Sequence, residues 1–227
     1  MDDVQYRDRA AYLPDGCTLV LADLHVGRDA TSNVEFSLGE RSNLVARLES
    51  LLAHFDPETV VFAGDVLHSF SEIPAEVPET FATLKRAVRE AGARLVVTPG
   101  NHDTMLASLW RGPSESEFRV GDTVVLHGHE APKTAAERYV VGHDHPKIVI
   151  EGQEHPCYLR GSYRGSEVLM LPAFTRLAAG MAVNRMRAGD FQSPLVTRAD
   201  GLRPVVWSEH DDAVHEFPPL GEFRRFL

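Results

Sequence analysis

The sequence has little cysteine, since Cys17 and Cys157 are the only two thiols among its 227 residues. Two cysteines cannot form a disulfide framework or a cysteine-based structural zinc site. Each lies in an apolar run typical of a strand, so we interpret both as reduced core residues. Disulfide-stabilised and zinc-ribbon scaffolds are therefore excluded.

Long hydrophobic runs and an excess of basic charge are also missing. No stretch reaches the roughly 18 apolar residues of a membrane helix. The start, MDDVQYRDRA, is acidic and polar, unlike a secretory signal, so we expect a cytoplasmic protein. The formal net charge of −10 argues against a basic surface over the whole protein, but 23 lysines and arginines still permit a local basic cleft.

The composition is that of an ordinary globular protein, with 43% hydrophobic and 25% charged residues. A chain of this length can bury one substantial core. It contains no repeat, no low-complexity tract and no linker rich in Ser, Gly or Pro. We therefore expect a single domain over residues 1–227.

The first half of the chain alternates between strand and helix patterns. Strands are predicted at 18–22, 59–63 and 94–98, and helices at 40–55 and 78–91. This βαβαβ order favours parallel pairing.

The second half consists mostly of short apolar runs separated by turn residues. Strands are predicted at 123–126, 139–141, 147–150, 158–160, 168–171, 203–207 and 213–217. The change in pattern indicates two sheets packed together. The polar residues that follow are expected to fray.

Five polar motifs each follow an apolar strand, and together they indicate one site. They are Asp23-Leu24-His25, Gly64-Asp65, Gly100-Asn101-His102-Asp103, His127-Gly128-His129 and Gly142-His143-Asp144-His145. In an open α/β sheet the carboxyl ends of the strands converge, so residues distant in sequence can meet there. Seven of the 11 histidines lie in or beside these motifs, at positions 25, 68, 102, 127, 129, 143 and 145. Such clustering indicates a metal site.

The donor types favour manganese, iron, zinc or nickel, because imidazoles are mixed with carboxylates and an amide oxygen. Asp65 follows a glycine on a tight turn and is the candidate to bridge two ions, which would activate a shared water as the nucleophile. His102 is placed to assist the leaving group.

Less specific interpretations apply to parts of this pattern. Any one of the motifs alone is more often a helix cap or a turn. The remaining histidines lie in helix or loop settings and are interpreted as solvated or capping residues; they are His54, His155, His210 and His215.

In full and in order, these motifs resemble those of the calcineurin-like metallophosphoesterase superfamily. The forms DLHVG, GDVLH, GNHD, HGH and GHDHP, with LPAFTRLAAGMAVN and FQSPLV, are similar to its ICC-like archaeal and bacterial subgroup. The resemblance implies a four-layer α/β/β/α sandwich of two mixed β-sheets flanked by helices. It also implies two divalent ions, with manganese as the first choice.

The resemblance further implies roles for individual residues. One metal would be held by Asp23, His25 and His145, the other by Asn101, His127 and His143, with Asp65 bridging. His102 would act on the leaving group with Asp103 orienting it, and His129 is the alternative to His127. Arg28 and His68 either contact the substrate phosphate or have a structural role.

The activity that the resemblance implies is phosphate-ester hydrolysis. A phosphodiesterase or nuclease is favoured, with a DNA repair helicase or ligase as a partner, because some ICC-like members are linked to such proteins. A phosphomonoesterase, a small cyclic-nucleotide phosphodiesterase and a non-catalytic metal-binding interaction scaffold remain alternatives. A homodimer is expected from superfamily habit alone.

Overall fold

A computed structural model describes residues 4–28 and 37–226 of the chain. The first sheet has the order β1-β2-β3-β4-β5. Its strands are β1 (Gln5–Arg7), β2 (Ala10–Leu13), β3 (Thr18–Leu21), β4 (Thr59–Phe62) and β5 (Arg94–Val97). Strands β1 to β3 pair antiparallel and β3 to β5 pair parallel, which confirms the predicted parallel βαβαβ unit.

Two helices cover the outer face of this sheet, α1 (Ser37–Phe55) and α2 (Val77–Glu90). Their apolar residues recur every three or four positions and so form one stripe on each helix. Leu48 of α1 and Phe81 of α2 are completely buried against sheet residues such as Leu21. This stripe fixes both helices against the three parallel strands that end at the polar motifs.

The second sheet is also mixed and has the order β15-β14-β11-β12-β8-β7-β6. Its strands are β6 (Phe118–Val120), β7 (Thr123–Val125), β8 (Arg138–Val141), β11 (Tyr158–Tyr163), β12 (Ser166–Met170), β14 (Arg203–Ser208) and β15 (Ala213–Glu216). Strand β8 is parallel to both of its neighbours, β12 and β7. A small third sheet is formed by β9 (Pro146–Ile150), β10 (Gln153–Pro156) and β13 (Met181–Ala182).

The two large sheets pack face to face. Successive residues of a strand point to opposite faces, so Val20 lies between the sheets while its neighbours Leu19 and Leu21 face the helices. Val140 of the second sheet lies in the same intersheet core. The Tyr158 hydroxyl donates to the Ala10 carbonyl at 2.7 Å across the sheets.

The outer face of the second sheet is covered by short 3-10 helices, the small third sheet and the one-turn helix α3 (Leu220–Phe223). The predicted four-layer fold is confirmed, with a fourth layer made of turns rather than long helices. The expectation that the end of the chain frays was wrong, because Leu220 and Phe223 are buried apolar anchors. No helix within the described residues has the length and apolar character needed to cross a membrane.

Candidate metal centre

The structure brings the five motifs to one end of the sheet pair. Those at Asp23, Asp65 and Asn101 follow β3, β4 and β5 of the first sheet, and those at His127 and His143 follow β7 and β8 of the second. All five strands belong to parallel ladders, so their carboxyl ends face the same way. Both sheets therefore contribute side chains to one site.

Five of the site residues have a left-handed backbone that side chains other than glycine seldom adopt. Their φ angles are 56° at Asp23, 46° at His25, 45° at Asp65, 77° at His143 and 47° at His145. Each such conformation costs on the order of 1–3 kcal/mol and is typical of functional sites. The left-handed turns at these five residues direct the side chains toward one another, and they lower the stability of the local backbone.

Asp23, His25 and His145 form one group of converging donor atoms. His25 Nε2 lies 3.2 Å from His145 Nε2, which in turn lies 3.4 Å from Asp23 Oδ1. The His143 backbone N–H donates to Asp23 Oδ2 at 2.9 Å, whereas the buried Oδ1 has no hydrogen-bond partner among the described residues. An orphaned carboxylate oxygen facing two imidazole nitrogens fits a divalent cation.

A second group forms around His127 Nε2. Asn101 Oδ1 and His143 Nδ1 both lie 3.1 Å from that nitrogen, and Asp65 Oδ1 lies 3.4 Å from it. Two imidazoles, an amide oxygen and a carboxylate make a mixed donor set suited to a transition metal ion.

Asp65 lies between the two groups. Its Oδ1 faces His127 of the second group, and its Oδ2 lies 4.0 Å from His25 Nε2 of the first. The His102 backbone N–H donates to Oδ1 at 2.9 Å and holds the carboxylate in this orientation. One carboxylate thus presents an oxygen to each group.

Burial dominates the electrostatics of three of the site histidines. It lowers the pKa of His25 to about 3 and the pKa values of His127 and His143 to about 4. These imidazoles therefore remain neutral at physiological pH, which is the form that binds a metal.

The two carboxylates shift in opposite directions. Burial raises the pKa of Asp65 to about 8, with a further contribution from the charge of Asp23. Burial would also raise the pKa of Asp23, but the charges of His145, His127 and His25 lower it to about 2. The pKa values of the two carboxyl groups lie far apart because two buried carboxylates in one site resist double ionisation without a cation.

His102 is held by a backbone carbonyl. Its Nδ1 donates to the His68 carbonyl oxygen at 2.6 Å, and its Nε2 faces Asp65 Oδ2 at 3.8 Å. Because a carbonyl only accepts, the proton of the neutral ring lies on Nδ1. The Phe70 ring packs on the imidazole, with centroids 3.9 Å apart.

The resemblance gives Asp103 the role of orienting His102, and the structure shows which groups its carboxylate binds. Its carboxylate accepts the backbone N–H groups of Leu67 and Gly100, both at 2.9 Å. It therefore joins the loop after β4 to the loop after β5, while the orienting contact on His102 comes from His68.

His129 and His68 lie at the border of the site. The His129 ring centroid is 5.2 Å from that of His127 and 6.1 Å from that of His143, so His129 lies beside the second group. The donor atoms of His68, His25 and His102 lie within 4.8 Å of one another. Arg28 follows His25 closely, and after burial its positive charge lowers the pKa of His68.

Sequence reasoning did not single out Phe70 or Asp144. Asp144 is buried and accepts the N–H groups of Gln192 and Ser193 at 2.8 and 3.0 Å, which ties the FQSP segment to the turn carrying His143. The position of Asp144 inside the GHDH motif could have indicated its importance. Phe70 carries no motif, and only the folded loops bring it to His102.

Comparison with known proteins identifies a family and two similar structures. The family model described as calcineurin-like phosphoesterase matches residues 18–157. The crystal structure of Pseudomonas putida nuclease MPE is similar, with a TM-score of 0.63 and 25% identity over 92% of each chain. Yfce, a phosphoesterase from E. coli, is 14% identical over 89% of this chain and 98% of its own, and its TM-score of 0.45 is too low to support an argument. No protein with a curated description matches the chain.

The matched region contains the motifs up to His145 and more than half of the chain. The fold and site define a metal-dependent phosphoric ester hydrolase. The chain belongs to the calcineurin-like phosphoesterase family.

Proposed function

We propose that the protein is a dinuclear phosphodiesterase that acts on nucleic acid, with manganese as its metal. The observation that carries the proposal is Asp65, whose two carboxylate oxygens face two separate donor groups. A mononuclear centre would not need a second group around His127. The proposal treats residues 1–227 as one catalytic domain.

The donor atoms divide naturally between two ions. Asp23, His25 and His145 would hold one, and Asn101, His127 and His143 the other, with Asp65 shared. When bound, divalent ions supply a lowered water pKa and neutralise charge on the phosphate oxygens. His127 is preferred to His129 because its Nε2 lies at the centre of the second group.

In this proposal His102 acts on the leaving oxygen. The His68 carbonyl fixes the ring through Nδ1, so Nε2 points into the space beside Asp65. Because Nδ1 keeps its proton, only the imidazolium form carries a second proton on Nε2, and that form would donate it to the departing oxygen or stabilise its charge. Asp103 is a positioning residue that holds the two loops together, and Arg28 and His68 are proposed to contact the phosphate.

The nucleic-acid substrate is supported by the similarity to the Pseudomonas putida nuclease over nearly the whole chain. A DNA repair helicase or ligase as partner, a homodimer and a cytoplasmic location complete the proposal. A phosphomonoesterase or a small cyclic-nucleotide phosphodiesterase would use the same ligands, and substrate choice separates them. A non-catalytic scaffold would bind metal without turnover.

The test is manganese-dependent hydrolysis of bis-p-nitrophenyl phosphate beside p-nitrophenyl phosphate. We expect preference for the diester, loss of turnover in a chelator, and loss in both Asp65→Ala and His102→Ala. Metal content separates the two variants, because Asp65→Ala should lose metal whereas His102→Ala should retain it. Preference for the monoester would favour a phosphomonoesterase, and bound metal without turnover on any ester would favour a scaffold.

A further inference from the structure

A concave groove of about 570 Å³ lies along the outer edge of β5, away from the metal ligands. Four cationic residues line it, and we call it the basic groove: Lys85, Arg86 and Arg89 of α2 and Arg94 of β5. Trp110 and Pro113 form the opposite wall. In the part of the chain that the structure describes, no aspartate or glutamate lines this groove.

The charge of the basic groove contrasts with that of the whole molecule, which is −10. Within residues 4–28 and 37–226, none of the four cations forms an ion pair, although the chain is rich in carboxylates. Arg86, Arg89 and Arg94 are exposed. Grouping like charges without a counter-charge is unfavourable unless an anionic partner supplies one.

Solvated helix residues are the simpler explanation, and it accounts for part of the pattern. Cations near the C-terminal end of α2 stabilise the helix dipole. That explanation does not cover Arg94, which belongs to β5 yet lines the same concavity. The Lys85 ammonium also lies 4.9 Å from the Phe81 ring centroid and donates to the Leu109 carbonyl, so it is held at the groove floor.

Two of the chain segments that line the groove continue toward the metal centre. Strand β5 runs from Arg94 toward Asn101, and seven extended residues span at most about 25 Å. The 3-10 helix Asp103–Ser108 leads back from His102 to Trp110. A strand bound in the groove would therefore have to extend over several nucleotides to place a phosphate at the metal centre.

We propose that the basic groove binds the phosphate backbone of a single-stranded nucleic-acid substrate outside the metal centre. A positively charged groove with an aromatic wall suits such a strand. The inference rests on the proposed nuclease function and adds the surface that holds the substrate. It also explains how a strongly acidic protein binds a polyanion.

The test compares Arg86→Gln/Arg89→Gln with the matched pair Arg164→Gln/Arg198→Gln. The control arginines are also exposed and lie outside the groove. Fluorescence anisotropy of a labelled single-stranded oligonucleotide is measured on the full chain in a chelator, where the strand stays intact. We expect the groove pair to weaken binding roughly tenfold and to reduce the slope of log affinity against log salt by about 1.4.

Hydrolysis of bis-p-nitrophenyl phosphate should be unchanged in both double variants, because this small ester does not reach the groove. Wild-type binding without loss in the groove pair, equal loss in the control pair, or no wild-type binding would each overturn the inference. The binding measurement needs no turnover. Failure of the hydrolase assay would therefore contradict the proposed function, whereas binding of the oligonucleotide to the groove would still be decided by the anisotropy measurement.

Discussion

At the scale of single residues, Asp65 combines two demands that conflict in the metal-free protein. It must be ionised to bridge two cations, yet burial raises its pKa to about 8. Cations would remove the conflict, since a nearby positive charge favours the carboxylate. The metal-free fold therefore tolerates a neutral side chain at this position better than the metal centre does.

Replacing Asp65 with asparagine should separate these demands. We expect the melting temperature in a chelator to stay unchanged or rise, because the amide avoids a buried carboxyl group. Metal binding and hydrolysis of bis-p-nitrophenyl phosphate should fall by at least roughly a hundredfold. Calorimetric metal titration and thermal melts measure both effects. A variant that retains two bound ions and full turnover would contradict the bridging role.

The Phe70 ring is exposed over 51% of its surface, an unusual environment for a large apolar side chain, but it packs on His102. Phe70→Ala should lower kcat several-fold because the imidazole loses its packing partner and its alignment. Phe70→Tyr should retain activity because the aromatic ring remains. Metal content should be unchanged in both, and equal kcat in all three proteins would show that the ring is not a support.

The sequence could predict which residues converge on one site because each motif directly follows an apolar strand. It could not predict the contact on His102, because the acceptor is a backbone carbonyl, at His68, whose place depends on how two loops meet. The contacts by which Asp103 joins the two loops could not be predicted for the same reason, because its partners are backbone N–H groups.

At the scale of secondary-structure elements, the loops after β4 and β5 pack closely at Gly100. A Cβ there would overlap the Asp65 carboxylate and come within 2.5 Å of the Asp65 backbone nitrogen. The Asp103 carboxylate also accepts the Gly100 N–H. A side chain at this position would therefore push the two loops apart.

We expect Gly100→Ala to destabilise the protein by roughly 1–3 kcal/mol and to weaken metal binding. Gly39→Ala is the matched control, since Gly39 lies in α1 and no atom of the described residues lies within 4 Å of its would-be Cβ. That change should stabilise the helix by up to about 1 kcal/mol. Urea unfolding gives both values, and a neutral Gly100→Ala would show that the loops have room to adjust.

The elements of the first half were predictable because apolar periodicity switches cleanly between strand and helix. The fourth layer was not, since its 3-10 helices and β13 are too short to produce a periodic pattern. The end of the chain was misjudged because Leu220 and Phe223 are its two buried apolar residues. Two apolar residues among polar ones form no periodic pattern, so the sequence does not indicate that they are buried against the second sheet.

At the scale of the whole molecule, the buried histidines link metal-free stability to pH. Their folded pKa values are about 3 for His25 and about 4 for His127 and His143, against 6.5 for a free imidazole. Between these values the unfolded chain binds more protons than the folded one. The contribution of these three histidines to stability is therefore fully present above pH 6.5 and is lost as the pH drops toward 4.

Asp65 acts in the opposite direction, because its raised pKa stabilises the folded state as the pH falls from about 8 toward 3.8. The raised pKa values of Asp103, Asp144 and His145 act in the same direction as that of Asp65, so the histidine contribution has to be isolated by a variant. Lowering the pH from 6.5 to 4 should destabilise His127→Asn less than the wild type, as measured by urea midpoints in a chelator. The exposed His54→Gln controls for removal of an imidazole.

Manganese should raise the midpoint at neutral pH, because the ion binds the folded site and not the unfolded chain. This gain should shrink as the pH falls, since protons compete with the metal for Asp65 and the histidines. The same ligands thus govern acid stability without metal and metal-dependent stability at neutral pH. A midpoint independent of both pH and manganese would contradict the assignment of these buried side chains as metal ligands.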